Sequence, residues 1–257
     1  MSRILAPLTP EEIPLMREAC QLAARTLKYA GENVRPGMTT NEIDRLVYEY
    51  TMDHKATPAT LNYHGFPKSV CTSINDVICH GVPDETILKE GDIINIDVTS
   101  IKDGFYGDTS ATFYVGEVSD LAKRLTECAK EAMWRGIQEV GPHATTGDIG
   151  FAINKYVTKQ GFYPVKEIGG HGIGKVFHGE PFVPSHGKKG RGDELIPWTC
   201  LTVEPMVNVT SAPIEEFDIP GSSHKFYKAK DRCLSAQFEH TILITDEGHE
   251  VLTFLEN

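Results

Sequence analysis

The chain has 257 residues, a formal net charge of −11 at pH 7, and 40% hydrophobic residues. This length allows a substantial core in one large domain, and the composition is that of a globular protein. The acidic balance, without an arginine-rich run, argues against nucleic-acid binding as the main function. No apolar run approaches the roughly 18 residues that a membrane-spanning helix needs.

The first half begins with two predicted helices. Residues 9–12, Thr-Pro-Glu-Glu, form a capping-box pattern with proline at the first helical position. This helix is predicted to run to about Ala30 and to stop at Gly31. Thr39 and Glu42 form a second capping-box pattern, which predicts the start of the next helix.

Residues 93–113 then predict a β-hairpin that carries two aspartates. The strands meet at Asp103-Gly104, a strong signal for a two-residue turn. With this turn, Asp97 and Asp108 lie on one face, on a diagonal about 7–8 Å apart at Cα. A loop one residue longer would place them on opposite faces, because strand side chains alternate. Two carboxylates on one face repel each other, which predicts a cation between them.

The second half repeats this organisation, with helices predicted at about 119–141 and 145–161. The joints between the helices of each pair, residues 34–43 and 140–149, share Val, Pro, Thr-Thr and Ile at a constant offset of 106. Coincidence of common helix-start residues is one explanation, and an internal duplication is the other. The duplication predicts one domain, 1–257, with pseudo-symmetric α-then-β halves at about 8–115 and 116–250.

A duplication also predicts an acidic residue near position 203 or 204, as the counterpart of Asp97. Glu204 stands there, in an apolar predicted strand, and Glu239 supplies a second acid on a later alternating strand. The two acids are 35 residues apart, whereas Asp97 and Asp108 are 11 apart, so the second half carries a long insertion.

Four carboxylates at the centre of a sheet require positive compensation, and two divalent cations would bring their formal sum to zero. His171 lies between glycines that allow a close approach of the backbone, and it offers a neutral ligand. Oxygen-rich ligation with one imidazole suits Mn²⁺, Fe²⁺, Co²⁺ or Zn²⁺ and argues against a structural zinc. Paired cations of this kind activate water and polarise a carbonyl, which indicates hydrolysis of an amide or ester.

Six scattered cysteines lack a CxxC pair, and the first residues lack a basic-then-apolar export signal. These features predict reduced thiols in a cytoplasmic protein. The cysteines are Cys20, Cys71, Cys79, Cys128, Cys200 and Cys233.

At this point the sequence resembles the type I methionine aminopeptidases of peptidase family M24, nearly from end to end. The resemblance implies an α+β pita-bread fold, in which helices cover a curved, mostly antiparallel sheet. It rests on six blocks: YHGFPKSVCTSIN (63–75), ICHGVPD (78–84), GDIINIDVTSIKDGFYGDTS (91–110), GGHGIGKVFHGEP (169–181), LTVEPMVN (201–208) and LSAQFEHTILIT (234–244).

The resemblance also assigns roles to single residues. Asp97, Asp108, His171, Glu204 and Glu239 are expected to bind two divalent metal ions, with Asp108 and Glu239 bridging them.

Three residues are expected to act on the substrate. His80 would contact the amine end and the leaving amide, and His178 would donate a hydrogen bond to the scissile carbonyl oxygen. Glu204 would carry the proton from the metal-bridging water to the leaving amine. The implied substrate-binding residues are Tyr63, Phe66, Cys71, His80, Phe177 and His178.

Two segments depart from the family pattern. Relatives often have a tryptophan shortly before the Lys-Asp-Arg segment, where this chain offers Phe226 or Tyr227. Residues 182–198 form a basic, glycine-rich stretch that is interpreted as a flexible surface loop.

The implied activity is removal of initiator methionine from nascent chains, with preference for a small second residue. The resemblance further implies a monomer that associates with the ribosome. Two alternatives stay open: a proline-directed peptidase of the same fold, and a pita-bread binding protein without catalysis. The first usually carries an additional N-terminal domain and lacks the 63–71 block, and the second loses metal ligands.

Overall fold

The computed structural model describes residues 5–255, so residues 1–4 and 256–257 at the ends of the predicted domain lie outside the described residues. Four helices occur in two pairs, as predicted. They are α1 (Glu12–Glu32), α2 (Thr40–Asp53), α3 (Asp120–Ile137) and α4 (Thr146–Lys159).

Fifteen strands occur between residues 5 and 255, and a 3₁₀ turn lies at Tyr63–Gly65. The strands are β1 (Thr57–Pro58), β2 (Cys71–Ile74), β3 (Val77–Cys79), β4 (Ile93–Lys102), β5 (Phe105–Tyr114), β6 (Tyr163–Pro164), β7 (Gly170–Ile173), β8 (Gly179–Val183), β9 (Cys200–Val203), β10 (Met206–Asn208), β11 (Ile214–Asp218), β12 (Lys225–Ala229), β13 (Ser235–Gln237), β14 (His240–Ile244) and β15 (His249–Val251).

The strands form four sheets, in which the described pairs are antiparallel, and the predicted α+β class is confirmed. One sheet has the order β1-β4-β2 with β5 on β4, and another has the order β15-β14-β9-β7-β8. The two smaller sheets are β13-β10-β6 and β11-β12-β3. A bridge between Ser110 and Glu239 brings the hairpin of the first half against the second half.

The predicted register of the β4–β5 hairpin is confirmed. Asp103 and Gly104 form its two-residue turn, with φ angles of 49° and 83° that suit the right-handed twist of the strands. Asp97 pairs with Ser110, and Thr99 pairs with Asp108. Both aspartates therefore lie on one face.

Helices cover the opposite face of these strands. Ile96 and Val98, which flank Asp97, are fully buried in a core shared with α1 and α2. Val203, the neighbour of Glu204, is likewise buried in a core shared with α3 and α4. Alternation thus turns apolar side chains to the helices and acidic ones to the centre.

Each half contains the same set of backbone hydrogen bonds at equivalent positions, as a duplication predicts. The amide of Thr40 donates to the carbonyl of Thr86 at 3.1 Å, and Thr146 donates to Asp193 at 2.9 Å. In the first half the amide of Leu88 also donates to the carbonyl of Met38 at 2.8 Å. In the second half the amide of Leu195 donates to the carbonyl of Ala144 at the same distance. These pairs repeat at offsets of 106 and 107, and β6 lies 106 residues after β1. The boundaries of the halves stay a prediction.

Residues 182–198, interpreted above as a flexible surface loop, contact the first turn of α4. The amide of Gly147 donates to the carbonyl of Arg191 at 2.9 Å, and the amide of Gly190 donates to the carboxylate of Asp148 at 2.9 Å. The segment therefore satisfies helix-terminal groups that would otherwise lack partners.

Several predicted helix ends are wrong. Helix α1 continues through Gly31 to Glu32, and a Cβ at Gly31 would lie 2.1 Å from the Phe113 ring. This glycine thus allows close packing rather than a turn. Helix α1 also begins at Glu12, because the Thr9–Glu12 contact closes a turn before it. Helix α3 ends at Ile137, four residues before Gly141.

Between residues 5 and 255, no helix is both long and apolar enough to cross a membrane.

Candidate metal centre

The four predicted carboxylates come from two strand pairs that face each other. Asp97 lies on β4 and Asp108 on β5, while Glu204 follows β9 and Glu239 precedes β14. The pairing of Ser110 with Glu239 sets the second pair of acids against the first. Asp108 and Glu239 are 3% and 2% exposed, so this cluster lies inside the protein.

His171 on β7 joins the cluster. Its Nε2 lies 3.7 Å from Asp108 Oδ2 and 3.6 Å from Glu204 Oε1. Its Nδ1 lies 3.1 Å from the carbonyl oxygen of Gly172, to which it donates, so Nε2 presents a lone pair. Burial lowers the pKa of His171 to about 4, which keeps the ring neutral at pH 7.

Burial also disfavours charge on the carboxylates. It raises the pKa of Asp97 to about 7 and that of Glu204 to about 8. The pKa values of Asp108 and Glu239 rise well above the ordinary range, because burial and repulsion by the neighbouring acids act together. Among residues 5–255, no lysine or arginine forms an ion pair with these four groups.

These residues fit divalent cations. Ligand atoms of Asp108, His171 and Glu239 all lie within 4.8 Å of one another. Hydrogen bonds hold the acids in place: Thr99 donates to Asp108 at 2.7 Å, and Gln237 donates to Glu204 at 3.2 Å. Cations would supply the missing positive charge, and carboxylate oxygens with one imidazole match the ligands of Mn²⁺, Fe²⁺, Co²⁺ and catalytic Zn²⁺.

A cavity of about 150 Å³ opens directly onto the cluster. All eleven residues predicted for the site line it, so the structure brings the complete set together. They are Tyr63, Phe66, Cys71, His80, Asp97, Asp108, His171, Phe177, His178, Glu204 and Glu239.

Each of the two further histidines has a hydrogen-bond partner at Nδ1. Nδ1 of His80 lies 3.2 Å from the carbonyl oxygen of Lys225, to which it donates, so Nε2 is an acceptor. Nδ1 of His178 lies 2.9 Å from the Tyr63 hydroxyl. When this hydroxyl donates, Nε2 of His178 carries the proton. Removal from solvent lowers the pKa of His178, and the presence of neighbouring imidazoles lowers it further. Part of its side chain is nevertheless exposed at the cavity mouth.

Aromatic and sulfur-containing side chains form one side of the cavity. The rings of Tyr63 and Phe177 lie 4.8 Å apart, and Phe66 and Cys71 pack together in a buried cluster. Burial raises the pKa of the Cys71 thiol well above its ordinary value, which keeps it uncharged.

Sequence reasoning missed five residues that line the cavity, because none belongs to a recognisable motif. They are Thr60, Thr99, Ile168, Gly169 and His224.

The uncertain wall near the Lys-Asp-Arg segment is formed by His224. Its ring centroid lies 5.3 Å from that of Tyr63 and 5.7 Å from that of His80. Phe226 instead packs behind the wall, in the cluster of Phe66 and Cys71. His224 and Phe226 are two residues apart, so strand alternation would place them on one face and could not have separated them.

Comparison with known proteins agrees with this geometry. A sequence model described as metallopeptidase family M24 matches residues 14–246. The chain is 45% identical over 257 residues to a protein of Synechocystis sp. named methionine aminopeptidase A, with full coverage of both.

Solved structures agree on the fold. The crystal structure of a methionine aminopeptidase from Rickettsia prowazekii superposes with a TM-score of 0.94 at 45% identity, covering 98% of this chain and all of that one. A prolidase from Pyrococcus furiosus gives a TM-score of 0.75 at 21% identity, covering 98% of this chain and 66% of that one. The prolidase comparison bears on the fold alone, and the pita-bread architecture is confirmed.

Proposed function

Because the chain belongs to metallopeptidase family M24, among its type I methionine aminopeptidases, we propose that its buried carboxylate cluster holds two divalent cations. The activity is metal-dependent removal of an N-terminal methionine. His171, Glu204 and Asp108 would surround one cation, and Asp97 would bind the second. Asp108 and Glu239 would bridge the two.

The bound cations would supply an activated water and polarise the scissile carbonyl. Nε2–H of His178, held by the Tyr63 hydroxyl, would donate to the carbonyl oxygen as negative charge develops there. The neutral ring can donate in this way because Nε2 carries its proton when Nδ1 accepts from Tyr63.

His80 and Glu204 would handle the other polar groups of the substrate. Nε2 of His80, an acceptor because Nδ1 donates to the Lys225 carbonyl, would accept a hydrogen bond from the N–H of the scissile bond. A carboxylate oxygen of Glu204 would take up the proton released from water and pass it to the leaving amine.

The cavity supports methionine as the first residue. Tyr63, Phe66, Cys71 and Phe177 form an apolar wall, and the neutral Cys71 thiol adds a polarisable surface. A flexible thioether packs well against aromatic rings and sulfur. The acidic cluster at the end of the cavity would attract a free α-amino group, which favours cleavage at the N-terminus.

We extend the proposal to the setting of the reaction. The substrates would be nascent chains with a small second residue, and the enzyme would act as a cytoplasmic monomer near the ribosome. The imidazole rings of His178 and His224 both line the cavity and lie 6.5 Å apart, which supports a small second residue. The donor set fits Co²⁺, Mn²⁺, Fe²⁺ or Zn²⁺.

One observation carries the proposal: five metal-ligand side chains and an apolar pocket share one cavity. To test it, the purified protein is stripped with chelator and supplied with single metals. It is then offered Met-Gly-, Met-Leu- and X-Pro-peptides. We expect metal-dependent release of methionine from Met-Gly but not from Met-Leu.

Other outcomes distinguish the alternatives. Cleavage of X-Pro-peptides alone would favour the proline-directed peptidase. No hydrolysis of any peptide with any metal would contradict both enzymatic functions and favour a binding protein.

A further inference from the structure

Thr202 joins two of the proposed metal ligands through one hydroxyl group. Its Oγ1 accepts a hydrogen bond of 3.0 Å from the backbone N–H of His171 and donates one of 2.8 Å to Glu204 Oε1. Thr202 is fully buried, so water does not compete for either bond.

The hydroxyl of Thr202 accepts one of these bonds and donates the other. A backbone N–H can only donate, so the hydroxyl oxygen of Thr202 must accept from His171. Its single proton is then free for Glu204 Oε1, which accepts it. Glu204 Oε1 keeps a second lone pair for a cation. The same oxygen lies 3.6 Å from His171 Nε2.

The strand pairing explains why the His171 amide donates to the Thr202 hydroxyl. Strand β7 pairs with β9 at Gly172 and Ile173, and the ladder with β8 is irregular between His171 and Gly172. The His171 amide therefore takes a side-chain oxygen of β9 as its acceptor. A Cβ at Gly170 would lie 2.2 Å from the Thr202 carbonyl oxygen, so the strands meet closely here.

We propose that Thr202 is a positioning residue that aims Glu204 Oε1 and His171 Nε2 at the same cation. It would act on the cation shared by these two ligands and leave the cation bound by Asp97 largely unaffected. The proposal rests on the proposed function in that it requires two bound cations.

Calorimetric titration of Mn²⁺ into the chelator-treated full chain tests this. In Thr202→Val, which keeps the shape and removes the hydroxyl, we expect one of two cations to bind about 10- to 100-fold more weakly. The value of kcat should fall, whereas KM should change little, because the residue does not touch substrate. Thr202→Ser retains the hydroxyl and should restore both quantities.

Thr26→Val is the matched control. Thr26 is also fully buried, and its hydroxyl donates to the Leu22 carbonyl at 2.9 Å within α1, away from the site. It should lose stability as other buried hydroxyl deletions do and keep the wild-type Mn²⁺ isotherm. Thr202→Ala provides a second deletion if Thr202→Val does not fold.

Three results would overturn the proposal: an unchanged isotherm in the valine or alanine variant, equal weakening of both cations, or failure of serine to restore binding. Absence of Mn²⁺ binding by the wild type would overturn it as well. If the wild type binds two cations but releases no methionine, the proposed function fails, and the isotherms still decide the role of Thr202.

Discussion

In the metal-free protein, Glu204 should make stability depend on pH. Burial raises its pKa to about 8, whereas in the unfolded chain this carboxylate is ionised at neutral pH. The folded state then binds more protons than the unfolded state, so the free energy of unfolding falls as pH rises through this range. For one group with a pKa of about 8, the loss between about pH 6.5 and pH 8 is about 2 kcal/mol.

The assay is equilibrium urea unfolding of chelator-treated protein at these two pH values. Glu204→Gln is the control, because its amide does not titrate, while Asp97, Asp108, Glu239 and the other groups that respond to pH remain. The pH-dependent loss should be about 2 kcal/mol larger in the wild type than in this variant. Adding Mn²⁺ should abolish the excess, since a coordinated carboxylate is held deprotonated.

An equal pH dependence in the wild type and Glu204→Gln would refute this reasoning. It would mean that the carboxylate is already ionised in the folded metal-free protein, through water or a neighbouring donor.

Three further changes give separate tests. Asp108→Asn should abolish binding of two cations and peptide hydrolysis, because it removes the charge of a proposed bridging ligand; retention of both by calorimetry and assay would exclude that role. His178→Ala should lower kcat on the order of 10²-fold, as for loss of an oxyanion donor, and an unchanged kcat would remove His178 from the mechanism. Gly104→Ala should lower the free energy of unfolding by about 1 kcal/mol, because alanine is strained at the φ of 83° that this turn requires. No steric clash contributes, since no atom lies within 4 Å of the added Cβ. Gly248→Ala, equally open, should cost less, and equal losses would contradict the turn argument.

Local patterns in the sequence determined much of this fold. The Asp103-Gly104 turn and strand alternation placed Asp97 and Asp108 on one face, and the structure has that register. The Thr39–Glu42 capping box likewise forms at the start of α2. These features depend on residues close in the chain, where backbone geometry and hydrogen bonding leave few alternatives.

Only the tertiary structure decided the features that depend on distant contacts. Gly31 lies within α1 with the Phe113 ring where a Cβ would stand, and His224 rather than Phe226 reaches the cavity. Thr202 contacts His171 because β7 and β9 are neighbours in the sheet, a pairing that no local pattern encodes. The sequence by itself predicted which residues line this cavity, and packing between strands and helices decided which other side chains surround and orient them.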